Sequence, residues 1–218
     1  MDYTKEYYKC DRPELATHVL AGANRVLDLG CAEGLLGLSL KQQGLAVEVV
    51  GIELFEQAAK VAEARLDRVI CGDIEMLDWD GLELAKGSFD CILCGDVLEH
   101  LRDPWRVLAW LASLLKPEGR LIASLPNVRH WSVVFPLLLQ GKWEYRGHGI
   151  LDRTHLRFFT RKTAIQMFKD CGLRVVTCEG SRLLGKKDNL LNLAMLGMGR
   201  EFVTVQWILV CQHAERKL

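Results

Sequence analysis

The stretch Arg25-Val-Leu-Asp-Leu-Gly-Cys-Ala-Glu-Gly34 decides the fold. Val26 to Leu29 read as a buried strand that runs into a glycine-rich turn. Gly30 and Gly34 permit backbone conformations and a close approach that a side chain would block. A helix follows from about Leu35, with free N–H groups near the turn. In an open α/β sheet, such a strand–turn–helix unit is where a nucleotide-like ligand binds. Val49-Val-Gly-Ile-Glu53 adds a carboxylate at the end of the next strand, 23 residues after Gly30. A carboxylate there can accept hydrogen bonds from both hydroxyls of a ribose. The spacing is Gly30-x-x-x-Gly34 with Asp28 just before it, not the G-x-G-x-x-G of dinucleotide oxidoreductases.

Strand-like and helix-like segments alternate around this unit, which predicts an α/β fold with a mostly parallel sheet. Strands are expected at 25–30, 47–53, 67–71, 89–95, 119–125, 173–179 and 203–212. Helices are expected at 12–21, 34–43, 55–65, 104–115 and 160–171. Pro104 and Pro117 punctuate the fourth helix. The last strand follows the sixth with no clear helix between, which predicts an antiparallel pair at the sheet's edge. Two segments fall outside the alternation, 126–159 and 181–202. The first holds three of the six histidines and many aromatics, and irregular loops of this length are usually functional or mobile.

The 218 residues fit a single domain spanning 1–218, with 126–159 as an insertion. Half of the residues are hydrophobic, enough for a sizeable core. Lys plus Arg and Asp plus Glu number 28 each, a neutral balance that argues against a general nucleic-acid binder. No apolar run reaches bilayer-spanning length, and the polar Met1 to Tyr8 lacks the core of a signal peptide. Both points predict a cytoplasmic protein with no transmembrane segment. Eight cysteines raise the question of disulfides or a metal. Cys91 and Cys94 have CxxC spacing but lie in a predicted strand, where residues three apart point to opposite faces. The cysteines read as reduced, mostly buried thiols.

The 25–34 segment resembles motif I of the class I S-adenosylmethionine-dependent methyltransferases, with Ala32 where that family usually has glycine. The resemblance implies a Rossmann-like, seven-stranded sheet of order 3-2-1-4-5-7-6 with helices on both faces. It implies S-adenosyl-L-methionine as cofactor and S-adenosyl-L-homocysteine as product. Asp28, Gly30, Cys31, Ala32 and Gly34 would hold the amino-acid part, and Glu53 and Leu54 the ribose. In Cys71-Gly-Asp-Ile-Glu75, Asp73 would meet the adenine amino group and Ile74 pack on the ring. Phe89-Asp-Cys-Ile-Leu-Cys-Gly-Asp-Val-Leu-Glu-His-Leu-Arg-Asp-Pro104 resembles the family's fourth strand and turn, with Gly95 and Asp96 bordering the sulfonium. The N-terminal Tyr7, Tyr8 and Arg12 would fold over cofactor and substrate.

Methyl transfer needs alignment of nucleophile, methyl and sulfur, and deprotonation of the acceptor where it is a hydroxyl. His130, His148 and His155 are candidate bases because a neutral imidazole takes a proton near pH 7; Asp96 is a further catalytic candidate. Asn127 leaves the fifth strand at the same rim, and Tyr145, Asp152 and Arg157 belong to a polar, aromatic loop suited to a sugar or another polar acceptor. Asp96-x-x-Glu99-His100 resembles the E-x-x-E-H metal site of small-RNA 2′-O-methyltransferases and of some quinone O-methyltransferases. The run leaves open a divalent ion or a plain brace of the turn.

Nearly the whole chain, most strongly residues 12–175, resembles bacterial methyltransferases found alone or beside glycosyltransferases in polysaccharide pathways, through Arg12-Pro-Glu14 and Leu151-Asp-Arg-Thr-His-Leu-Arg-Phe-Phe-Thr160. That implies O-methylation of a small-molecule or glycan acceptor. Two other readings stay open. One is a non-catalytic partner of homoserine acyltransferases, which shares the Leu125-Pro-Asn-x-x-His-Trp131 stretch. The other is a metal-dependent RNA methyltransferase, against which the neutral charge weighs. Leu183 to Gly199 leaves open an oligomer contact such as a homodimer, a flap, or a membrane-surface contact.

Overall fold

A computed structural model of the chain describes residues 12–22, 25–181 and 199–214. Tyr7 and Tyr8, and residues 182–198 of the second irregular segment, lie outside these. In chain order the elements are α1 (Pro13–Ala16), β1 (Arg25–Leu29), α2 (Leu35–Gln42), β2 (Glu48–Glu53), α3 (Glu56–Ala62), β3 (Arg68–Cys71) and β4 (Phe89–Gly95). A 3-10 turn (Leu98–His100), α4 (Pro104–Leu114), β5 (Leu115–Pro126), α5 (Trp131–Gln140) and α6 (Arg161–Asp170) follow, then β6 (Leu173–Ser181), α7 (Arg200–Val203) and β7 (Gln206–His213).

The seven strands form one sheet of order β3-β2-β1-β4-β5-β7-β6, the order implied by the resemblance. The β1, β2, β3, β4 and β5 pairings are parallel; β7 runs antiparallel to both β5 and β6. The expected antiparallel pair therefore does close one edge of the sheet. Between β1 and β4 the chain's direction of winding reverses, and the ligand crevice of an open α/β sheet lies outside the carboxyl ends of the strands at such a switch.

The core follows the period-two alternation of strands buried on both faces. Leu27, Leu29, Ile92, Cys94, Leu121 and Leu209 pack with α4 and α6 on one face. Val26, Cys91, Leu93, Ile122 and Val210 pack with Leu15 of α1 and with α2 on the other. Cys91 and Cys94 thus sit on opposite faces, as their spacing predicted. Cys31, Cys91, Cys94 and Cys211 are buried free thiols, whereas Cys71 is exposed. Side chains cap the starts of α4 and α6. Asp103 accepts from Arg106 N–H at α4, behind Pro104, and Thr160 with Thr163 forms a capping box at α6.

Three expectations are corrected. The helix at 12–21 is a single turn, Pro13–Ala16. The strand expected from 203 starts at Gln206, because residues 200–203 form α7. The 126–159 insertion is not wholly irregular: it contains α5, capped by His130 and ended by Gly141 at φ 63°. That helix was hidden because Trp131-Ser-Val-Val-Phe-Pro-Leu-Leu-Leu has no polar face to display a 3.6-residue period, and Pro136 reads as a breaker. No helix among the described residues is long and apolar enough to cross a membrane.

Candidate functional site at the carboxyl ends of the strands

The site has two halves. The first rests on β1 and β2. Gly30, Ala32 and Gly34 all have positive φ, at 72°, 51° and 75°. At Gly30 a side chain would collide with Val97 of the turn after β4, so this glycine answers to packing as well as to backbone conformation. The turn is tied to β2 by Gly30 N–H donating to Ile52 O (2.8 Å) and Ala32 N–H donating to Glu53 Oε2 (2.8 Å). Glu53 Oε1 accepts from Phe55 N–H (2.9 Å). Glu53 is buried, and burial raises its pKa despite these donors. Asp28 is also buried. Burial, then the neighbouring charge of Glu53, lifts it from 3.8 to about 7 against the pull of Arg12. Two buried carboxylates therefore face one turn, a demand for hydroxyl or cationic donors that a nucleoside and an amino-acid ammonium would meet. Leu54, next to Glu53, is 51% exposed. Asp73 closes an Asx turn onto Glu75 N–H (2.9 Å), while Ile74 is buried in the core below.

The second half is gathered from distant segments. Asp96 follows Gly95 at the end of β4 with φ 54°. Its carboxylate accepts from Arg12, from Ser124 Oγ of β5 (2.7 Å) and from Gln206 Nε2 of β7, and its N–H donates to Ser124 Oγ (3.0 Å). Asp96 thus ties the start of the chain to three neighbouring strand ends. Ser124 breaks the apolar run Leu121 to Leu125, and Gln206 stands just before the apolar run Trp207 to Cys211; those positions are the signal by which they could have been found in the sequence.

Beside this knot, Glu99 is 1% exposed and neither carboxylate oxygen has a hydrogen-bond partner among the described residues. Burial, then the charge of Asp96, raises its pKa well above the ordinary carboxylate value. Ligand atoms of Glu99, His100 and His155 lie within 4.8 Å of one another. The His100 and His155 rings meet edge to face at 4.7 Å. Each pairs its Nδ1 with a backbone oxygen of one loop, Thr154 O (3.2 Å) and Ile150 O (3.0 Å) respectively. With those carbonyls as acceptors, Nδ1 carries the proton and Nε2 the lone pair, the arrangement of a metal-binding imidazole. Burial, then His155, lowers the His100 pKa, which also favours the neutral ligand form. An orphaned carboxylate between two such histidines fits a divalent cation, and the donor set suits Zn²⁺ or Fe²⁺ better than Ca²⁺. The sequence motif is therefore completed by His155 from the insertion, while Asp96 is engaged elsewhere.

The remaining predicted residues fall in different places. Asn127 is fully buried, and its amide is consumed by Glu201 O (2.7 Å), Thr204 O (2.8 Å) and Arg129 N–H (3.1 Å). It braces α7 with both amide hydrogens spent, a structural role beside the substrate role expected of it. His130 caps α5 through Nδ1 and Ser132. Arg157 donates to Arg102 O (3.0 Å), fixing the turn after His100. Asp152 accepts from Thr154 N–H (2.8 Å) and Oγ1 (2.7 Å). Burial, which would raise its pKa, is outweighed by these bonds and by both histidines, so the pKa is lowered. Tyr145 is half exposed and His148 exposed at the outer edge of the loop. A surface depression of about 590 Å³ beside the stacked Trp79 and Trp110 contains none of these residues.

The comparisons with known proteins agree with this fold. The chain is 40% identical over 110 residues to a ubiquinone biosynthesis O-methyltransferase of Xanthomonas euvesicatoria, covering 50% of this chain and 45% of that protein. It is 29% identical over 184 residues to the protein of that name in Coxiella burnetii, covering 70% and 75%. The match thus spans less than half the length of the first of these curated relatives. In fold it resembles a SAM-dependent methyltransferase of Archaeoglobus fulgidus, with TM-score 0.70, 18% identity, and 95% and 96% coverage. A profile described as methyltransferase domain matches residues 2–178, and the chain belongs to that family of methyltransferases, whose cofactor is S-adenosylmethionine.

Proposed function

We propose that the protein is an S-adenosylmethionine-dependent O-methyltransferase acting on a hydroxyl of a small molecule or a sugar, with a divalent cation at Glu99, His100 and His155. The observation that carries the cation is the Glu99 carboxylate, buried and unpartnered between two imidazoles whose Nδ1 atoms are already committed. The O-methyltransferase names of the relatives support the choice of oxygen as acceptor atom. The free thiols support a reducing, cytoplasmic setting.

S-adenosylmethionine, when bound, supplies the methyl group and departs as S-adenosylhomocysteine. Glu53 accepts the ribose hydroxyls, Asp28 and the 30–34 turn hold the amino-acid part, and Asp73 receives the adenine amino group. A divalent cation, when bound, lowers the pKa of a hydroxyl that it touches. Glu99, His100 and His155 hold it, and Thr154 O and Ile150 O keep both imidazoles in the ligand tautomer. Asp96 holds Arg12 across the rim and so limits water entry between the cofactor turn and β5. The 126–159 insertion, with Tyr145 and His148 at its edge, reads the acceptor.

The test is transfer of labelled methyl into cell extract fractionated into small molecules, polysaccharide, protein and nucleic acid, with and without a chelator. Label in the small-molecule or polysaccharide fraction, lost on chelation and restored by Zn²⁺ or Fe²⁺, is expected. Label in RNA would redirect the acceptor. Absence of label from protein that binds the cofactor would favour the accessory role.

A further inference from the structure

The loop after β3 and the turn after β4 are tied together through the side chain of Glu75. Glu75 stands two residues after Asp73 and is half-buried. Its N–H donates to Asp73 Oδ1 (2.9 Å). Its carboxylate reaches the other way. Oε1 accepts from Asp103 N–H (2.7 Å) and Oε2 from Arg102 N–H (3.0 Å). A glutamate near the surface usually leaves its head in water; here both oxygens are committed to consecutive backbone N–H groups. Such charge-assisted bonds are stronger than neutral ones. Asp103 in turn caps α4, so the carboxylate is moored to a helix start.

The contacts continue on both sides. Arg102 O accepts from Arg157 Nε (3.0 Å). Glu99 O accepts from Leu156 N–H (2.8 Å) and Arg157 N–H (3.0 Å). The segment that carries His155 therefore rests on the same turn that Glu75 holds. On the other side, Gly72 N–H donates to Glu53 O (2.8 Å) and Trp79 Nε1 to Ile74 O (2.7 Å). The stretch from Gly72 to Trp79 thus has anchors of its own, and what Glu75 adds is its position against the turn.

We propose that Glu75 is a positioning residue for the cofactor. Through its own N–H it sets Asp73, and through its carboxylate it fixes that loop against the turn of Glu99 and His100. Asp73 Oδ1 is spent within the loop, which leaves Oδ2 for the adenine amino group. A loop released from the turn still folds, on its own anchors, but holds the nucleoside less tightly. The inference rests on the adenine placement proposed above and does not need the cation.

The experiment is calorimetric titration of S-adenosylhomocysteine into the full-length parent, Glu75→Ala, Glu75→Gln and Asp73→Ala, with thermal unfolding of each. Glu75→Ala should weaken binding about tenfold. Its unfolding should stay near the parent's, because Arg102 and Asp103 are exposed and their freed N–H groups can turn to water. Glu75→Gln keeps one carbonyl acceptor and should recover part of the affinity. In turnover, Glu75→Ala should raise KM for S-adenosylmethionine about as much as it raises Kd, while kcat changes less. Binding by Glu75→Ala equal to the parent's overturns the proposal. Equal losses in both Glu75 variants, with unfolding at lower temperature, would make Glu75 a structural brace alone and overturn it too. Unchanged binding by Asp73→Ala would remove the adenine placement beneath it. Weakened binding by Asp73→Ala beside unchanged binding by Glu75→Ala would keep that placement and remove this role.

Discussion

The two halves of the rim are built differently. On the β1–β2 side, Asp28, the 30–34 turn and Glu53 lie within 26 residues of one another and are joined mainly by backbone hydrogen bonds. On the β4 side, Asp96 reaches Arg12 and Gln206, 84 and 110 residues away, and Glu99 and His100 meet His155 from the insertion. The contrast teaches that the half proposed for the cofactor is a local device carried by a sheet, whereas the half proposed for the acceptor exists only once distant segments have docked. Substitutions should separate them.

The largest effect is expected at the gathered half. His155→Ala or Glu99→Gln should reduce methyl transfer by roughly 10²–10⁴-fold, the scale of activating a hydroxyl, while cofactor affinity stays near the parent value. Equal losses of both would join the two halves again. Glu53→Ala comes next. It removes the proposed ribose acceptor and strips Ala32 N–H of its partner, so cofactor affinity should fall about 10²-fold, or about 3 kcal/mol, with cation binding intact.

This contrast also explains what could be read from the sequence. The order of events from Arg25 to Glu53 follows from strand, turn and strand at short range, so the fold and the proposed cofactor residues could be read together. Asp96-x-x-Glu99-His100 was visible as a motif, but its third member was not. Nothing in Ile150-Leu-Asp-Arg-Thr-His155 reports that its carbonyls will orient two histidines, one of them on another loop. Asn127 looked available because it leaves a strand at the rim; α7, which consumes its amide, is a single turn next to a segment without clear periodicity.

Asp96→Ala tests the knot. Three donors lose their acceptor and a left-handed backbone loses its supporting side chain, so unfolding in urea should report about 2–4 kcal/mol less stability. A change below about 0.5 kcal/mol would make the knot a surface ornament.

A smaller effect is a pH dependence on the cofactor side. Because Asp28 is lifted from 3.8 to about 7, the folded form holds a proton that the unfolded form gives up. Stability of the free protein should therefore decline as pH rises from about 4 through 7, while affinity for the cationic cofactor should rise, by at most about tenfold per pH unit. Asp28→Asn should flatten both curves; a parent already flat contradicts the assignment.

The smallest effect is Ala32→Gly. Relief of an alanine at φ 51° is worth about 1 kcal/mol, partly offset by the entropy of an added glycine. A rise in stability of a few tenths of a kcal/mol, with slightly tighter cofactor binding, is expected.

The central claim is that cofactor and cation occupy separable halves of one rim. Calorimetric titration of S-adenosylhomocysteine, and separately of Zn²⁺, into the parent, Glu53→Ala and His155→Ala proteins tests it most directly. The account predicts that Glu53→Ala loses the cofactor and keeps the cation, and that His155→Ala does the reverse. A His155→Ala protein that binds Zn²⁺ as the parent does, or a Glu53→Ala protein that binds the cofactor unchanged, would contradict it.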